Sequence, residues 1–238
     1  VIALLVLFYC FPKKYRWYVL LAGSMAYYVI ICKWYVLFII FTICTTYGST
    51  IWIDKLLKKQ NAIVKSHKED WDRQTRKEYK EKGRKKRVAV MLFALLCNFG
   101  ILAFLKYIPY AGELGLLLPL GISFYTFQSM GYVMDVYREI VEPEKNFLKV
   151  ALFVSFFPQI IQGPIAIYDK LAGQLYEGHS LRLENLQKGA LLVLWGVMKK
   201  LVIADRAVNI FNLVMDKPMD FSGTYVFFAA VVYALQLY

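Results

Sequence analysis

The sequence predicts an all-α fold: a polytopic bundle of transmembrane helices with a broken or re-entrant segment and helices lying at the interface. Its residues are 59% hydrophobic and its mean hydropathy is +0.45, whereas a soluble domain is about 45–50% apolar. The apolar residues come in runs separated by short charged breaks, where the strands of a barrel would alternate apolar and polar side chains. A third observation is the run 118–138, LPLGISFYTFQSMGYVMDVYR, long enough to cross a hydrocarbon core of about 30 Å. It opens with Pro119 and Gly121, carries Ser123, Thr126, Gln128 and Ser129, and closes on Asp135 and Arg138. At helical spacing Gln128, Gly131 or Tyr132, Asp135 and Arg138 fall along one stripe. Uncompensated polar groups are costly in hydrocarbon, so this stripe is expected to face protein or a water-filled cavity.

The other elements follow in order. Residues 1–11 read as the tail of a spanning helix, 17–32 as the next crossing and 35–53 as a third. A basic link with Lys13, Lys14 and Arg16 joins the first two, and Lys33 with Trp34 makes a tight return. Thr42, Thr45, Thr46, Gly48 and Ser49 read as packing residues, because small and hydroxyl side chains let helices approach. Residues 54–87 form a basic loop with fourteen Lys/Arg against six Asp/Glu. Its second half has Glu and Lys at offsets that suit a surface helix. Trp71 and Tyr79 are placed to reach headgroups while the cations attract anionic lipid. The plainer reading is a solvated cytoplasmic arm that fixes orientation, and the link at 13–16, two crossings earlier, agrees with it.

Residues 88–108 return outward with Asn98 in mid-span, and Pro109, Gly112 and Gly115 then break the chain. Residues 147–165, FLKVALFVSFFPQIIQGPI, hold Pro158, Gly163 and Pro164 with Gln159 and Gln162 among them. Each proline removes an amide donor and crowds the preceding turn. Broken backbone at membrane depth is tolerated only where protein buries it or it lines a cavity. An apolar run at 186–204, split by Lys199 and Lys200, suits the cytoplasmic interface, and 221–238 begins a further span. The organisation is therefore N-terminal helices over 1–53, the basic cytoplasmic loop 54–87 and a core from 88 to 238. The chain starts and stops inside apolar runs without an initiator Met, so it is expected to be part of a longer protein.

These residues alone do not name a reaction. The four cysteines lack paired spacing, so neither a metal site nor a structural disulfide is expected. No Gly-rich phosphate loop or carboxylate pair is present. The two histidines, His67 and His179, lie in polar stretches with no orienting acid in view. His179 is the stronger candidate base, and a solvated loop histidine is the plainer reading of it. Asp135 and Arg138, at i and i+3, read as a helix-end ion pair, with substrate contact as the sharper alternative. No nucleic-acid partner is expected, because the basic charge reads as a topology signal rather than a folded aromatic-bearing face. A transporter or channel-type subunit would also explain a polar helix beside broken segments. A structural subunit would use the same groups only to join helices.

Three ordered blocks add to this: LPLGISFYTFQSMGYVMDVYR, then FVSFFPQIIQGPI, then GVMKKLVIADR. Together they resemble the membrane-bound O-acyltransferase family, in its bacterial alginate O-acetyltransferase-like branch. Gln128, Asp135, Arg138, Pro158, Gln159, Gly163, Pro164, Lys199, Lys200 and Asp205 stand at matching positions. Gln162 and Ile165, Ala166 and Ile167 depart from the branch around the Gly-Pro pair. The resemblance implies an enzyme of the bacterial inner membrane with acetyl-CoA as donor and no bound cofactor. Acetyl would pass through the bilayer toward an exported polysaccharide or a periplasmic or extracellular acyltransferase partner. Ser123, Gln128, Asp135, Arg138, Gln159, Gln162, Gly163 and Pro164 are the candidates for the substrate path, and Lys199 and Lys200 for the donor side. The family's catalytic histidine belongs to a later motif, expected after Tyr238, so no catalytic residue is assigned within this chain.

Overall fold

Long apolar runs make the first helices, and polar helix formers extend two of them. The computed structural model describes residues 2–67, 71–107, 119–161, 163–216 and 218–237. Two units are described separately, Val1–His179 and Ser180–Tyr238. In the first, α1 (Ile2–Cys10) packs on α2 (Arg16–Cys32), which ends where Lys33 takes a positive φ of 48°. α3 (Val36–Ser66) and α4 (Arg73–Tyr107) follow as the two longest helices. The stretches Lys13–Ser66 and Arg73–Tyr107 contain helix long and apolar enough to cross a membrane. All regular structure among the described residues is helical.

The basic stretch 54–87, expected as a loop, is mostly helix: 54–66 prolong α3 and 73–87 begin α4. Lys, Arg, Glu and Gln are strong helix formers, and each extension has the other as a packing partner. Gln60 meets Lys80 and Gly83 at one level, while Thr45 meets Asn98 at another, so the two helices run antiparallel. Gly83 makes the first approach possible, since a Cβ there would lie 2.5 Å from the Gln60 amide. The Gln60 Nε2 then donates to the Lys80 carbonyl at 3.0 Å. At the second level the Asn98 Nδ2 donates to Thr45 Oγ1 at 2.9 Å and to the Ala94 carbonyl at 2.8 Å. Asn98, polar in mid-span, is therefore satisfied inside the helix pair, and Thr45 has the packing role read for it.

The polar run becomes α5 (Ile122–Tyr137), shorter at its start than the expected crossing. Gly121, at φ 71°, delays the helix. Its 16 residues rise about 24 Å at the usual helical pitch. α5 sits at the centre of the first unit, packed against α3, α4, α6 (Phe147–Ser155), α7 (Phe157–Ile161) and α8 (Tyr168–Tyr176). Tyr125, Met130, Tyr132 and Val133 join Ile39, Ile53, Ala94 and Phe153 in one buried core. The break expected at Pro109, Gly112 and Gly115 lies outside the described residues, as does Gln162.

The second unit holds α9 (Leu183–Met198), a π-helical turn at Lys199–Ala204, α10 (Asp205–Met215) and α11 (Gly223–Leu237). α10 and α11 pack through Ala207, Val214, Ala229 and Val232, with the Phe211 and Tyr233 rings 4.8 Å apart. Every residue of α9 is exposed, including the consecutive run Leu191, Leu192, Val193, Leu194 and Trp195. The second half of this helix is apolar on every side and needs an apolar surrounding, while Glu184 and Lys188 pair in its polar first half.

Candidate functional site: the α5 seam and the broken helix

The proline-bearing segment is broken where the sequence places the break. Asn146 starts α6 by accepting the Leu148 amide at 3.0 Å, the usual role of an Asn N-cap. At the other end Phe156 swings to an extended conformation, φ −60° and ψ 102°, and α7 restarts at Phe157. A continuous helix would give the Phe153 carbonyl the Phe157 amide, and the Val154 carbonyl the amide of residue 158. Residue 158 is a proline and has none. The Phe157 amide is instead directed at the Ser24 hydroxyl of α2, 3.4 Å away.

Gln128 takes up the acceptor this leaves. Its Nε2 donates to the Phe153 carbonyl at 2.8 Å, and the residue is only 3% exposed. Gln128 and Tyr132 of the stripe thus face protein, whereas Gly131 and Arg138 are exposed, and the Gln128 amide completes the end of the neighbouring broken helix. Leaving a buried carbonyl unpaired costs about 1–3 kcal/mol, which explains why a glutamine sits in an otherwise apolar core. At the start of α5, Gly121 packs so closely on Ile160 of α7 that an added Cβ would overlap that backbone. Two contacts therefore fix α5 to the break, one on each side of it. Among the described residues, the hydroxyls of Thr46 on α3, Ser129 on α5 and Ser155 on α6 and the Gln159 Oε1 on α7 are buried without a hydrogen-bond partner, and so retain hydrogen-bonding capacity.

The remaining candidates are spread more widely. Ser123, Asp135 and Gln159 are half-buried, while Arg138, Gly163 and Pro164 are exposed. Lys199 and Lys200 are exposed in the π-helical turn of the second unit, with Lys199 Nζ 5.9 Å from the Trp195 ring centre. The ion pair expected between Asp135 and Arg138 does not form. α5 ends at Arg138, whose ψ is −1°, and the following Glu139 enters the left-handed region at φ 62°. The Glu139 amide donates to the Val136 carbonyl at 3.1 Å and the Ile140 amide to that of Asp135 at 3.0 Å, the paired bonds of a Schellman C-cap. The acid that pairs is Glu139, whose Oε1 accepts from Arg87 Nη1 of α4 at 2.7 Å.

An aromatic cluster supports the same face. The Tyr132 and Tyr168 rings stack with centroids 4.1 Å apart, and the Tyr132 hydroxyl accepts the Glu144 amide at 2.8 Å. Tyr176, on α8, donates to the Lys149 carbonyl at 2.8 Å, and burial pushes its phenol above the ordinary tyrosine range, so it stays a donor. Removing that hydroxyl with Tyr176→Phe is expected to lower stability by about 1 kcal/mol, read as a lower unfolding temperature in detergent. His179 lies in an exposed turn whose carbonyl accepts from Arg16. Spacing marks none of Glu139, Arg87, Ser24 or the tyrosine cluster, since each meets its partner through the fold. The one available signal is an acid directly after the Asp135–Arg138 stripe.

No family model matches the chain, and no solved structure matches it. Curated proteins do. The chain is 30% identical to the peptidoglycan O-acetyltransferase of Helicobacter pylori over 62% of its own length and 35% of that protein's. It is 34% identical to the probable alginate O-acetylase AlgI of Pseudomonas syringae pv. tomato, over 51% of this chain and 23% of that protein. The corresponding protein of Pseudomonas aeruginosa is 32% identical over 52% of the chain and 23% of its own length. The match thus covers between 23% and 35% of these relatives. The resemblance to the membrane-bound O-acyltransferases holds: the curated relatives are O-acetyltransferases.

Proposed function

We propose that this chain is part of a multi-pass O-acyltransferase of the bacterial inner membrane, moving acetyl from cytoplasmic acetyl-CoA toward an exported polysaccharide. The observation that carries the reading is identity with O-acetyltransferases named for two different polymers, peptidoglycan and alginate, over half of the chain or more. The two long apolar stretches and the exposed apolar surface of α9 support a bilayer setting. In this role α5, α6 and α7 form a wall of the acyl path, with Gln128 holding the broken helix in shape and Ser129, Ser155 and Gln159 offering polar groups. The exposed Lys199 and Lys200 serve the donor side. The acceptor is either the polysaccharide itself or a periplasmic transferase partner that completes the transfer.

The direct test supplies radiolabelled acetyl-CoA to inner-membrane vesicles holding the full-length protein. Label in polysaccharide, or in a partner protein, is the expected result. Solute flux without acetyl transfer would point to a transporter instead. Orientation has its own test: with Lys77→Cys, impermeant maleimide is expected to react only from the cytoplasmic side. Labelling from the periplasmic side would reverse the topology.

A further inference from the structure

A second site lies away from the seam, between the polar extensions of α3 and α4. A cleft of about 620 Å³ opens there, and six Lys/Arg and two Glu are among the residues that line it. Gln60 forms part of one wall, and Arg73, Lys80 and Arg84 form much of the other. Arg87 and Glu139 close the end nearest the apolar part of α4. The α4 residues recur every three or four positions and so share one face of the helix, whereas Lys82 and Lys85 lie outside the cleft.

Two features distinguish this cleft from a merely solvated basic arm. Arg87 has a side chain only 10% exposed, with Nη1 held by Glu139 but Nε buried and without a hydrogen bond. A buried guanidinium donor left unpaired is costly, and this one belongs to a residue of the cleft lining. Glu139 meanwhile occupies the left-handed C-cap position that usually takes glycine. A non-glycine residue there costs of order 1–2 kcal/mol, while its carboxylate orients Arg87 across the cleft floor.

We propose that the cleft binds a phosphate-ester anion. Arg84 and Lys80 meet its oxygens at the open side, and Arg87 adds its positive charge at the closed end. The planar guanidinium fork suits phosphate oxygens, and the ammonium adds charge without fixed direction. The same chemistry can come from two sources, the headgroup of an anionic phospholipid or the phosphates of a soluble nucleotide. The cleft begins where α3 and α4 leave their apolar segments, a level that both can reach.

The test uses full-length protein in neutral detergent and two probes offered separately, phosphatidylglycerol and adenosine 3′,5′-bisphosphate. Phosphatidylcholine is the lipid control, native mass spectrometry reads the lipid, and equilibrium dialysis reads the nucleotide. At least one probe is expected to bind, and K80Q/R84Q is expected to weaken it tenfold or more. K82Q/K85Q, with the same charge change outside the cleft, is expected to weaken it less than twofold. All four side chains are exposed, and unchanged unfolding temperatures verify that both variants fold. Retention of phosphatidylglycerol over phosphatidylcholine assigns the headgroup, and binding of the bisphosphate assigns the soluble source. Binding of neither probe, or equal losses in the two variants, overturns the proposal. The readout involves no acetyl transfer, so a failure here is distinct from a failure of the acyltransferase reading.

Discussion

Gln128→Leu is expected to cut acetyl transfer at least tenfold and to destabilise the protein by about 1–3 kcal/mol, while expression is kept. Leucine matches the apolar surroundings, but it cannot donate to the Phe153 carbonyl that Gln128 reaches at 2.8 Å. That carbonyl has lost its ordinary helical partner, because the chain turns extended at Phe156. Without the side-chain amide, the end of α6 has to shift to find another donor, and α7 shifts with it. Gln128→Met separates donation from size: it nearly preserves the length of the side chain, yet its thioether has no proton to offer, so it is expected to fail alongside leucine. Acetyl transfer from labelled acetyl-CoA and thermal unfolding in detergent check both variants. Wild-type activity and stability in the leucine variant would mean that the bond positions nothing.

Gly121→Ala is expected to have a still larger effect, mainly on folding. At φ 71° an alanine meets the left-handed penalty, of order 1–2 kcal/mol. Its Cβ would also overlap the backbone of Ile160, which cannot rotate away as a side-chain tip would. Overpacking of this kind typically costs about 1–3 kcal/mol more. The combined loss is a large fraction of the stability of an ordinary domain, which is about 5–15 kcal/mol. The measurement is the yield of monodisperse protein and its unfolding temperature. Gly131→Ala is the control: it lies on the same helix, and an added Cβ there would meet nothing within 4 Å. There alanine should stabilise by up to about 1 kcal/mol, the ordinary helix-propensity gain.

The contrast between these glycines shows how much the sequence can reveal. Gly121 stands out beside Pro119 as the start of a helix, and Pro158 stands out as a break, because each acts through its own backbone. The polar stripe is likewise legible from spacing, and the burial of Gln128 within it follows from the cost of exposing amides to hydrocarbon. What Gln128 bonds to is not legible, since its partner is a main-chain carbonyl on another helix, 25 positions along the chain. The ion pair that spacing suggests fails for a similar reason. Asp135 and Arg138 have helical spacing, but the helix stops at Tyr137, Arg138 caps it, and the next residue, Glu139, pairs with Arg87 instead. α3 and α4 outrun their apolar segments because hydropathy marks where a bilayer would end, not where a helix ends. Both continue through Lys- and Glu-rich sequence that favours helix once another helix lies alongside.

The Arg87–Glu139 contact also limits how the first unit can move. It joins the foot of α5 to the point on α4 where apolar sequence gives way to basic, and so acts as a stop against axial sliding. A displacement of even one helical turn, about 5.4 Å, would pull the carboxylate out of reach and strand a buried guanidinium. The contact therefore ties α5 to α4 at that level, as Gln128 and Gly121 tie it to the break between α6 and α7.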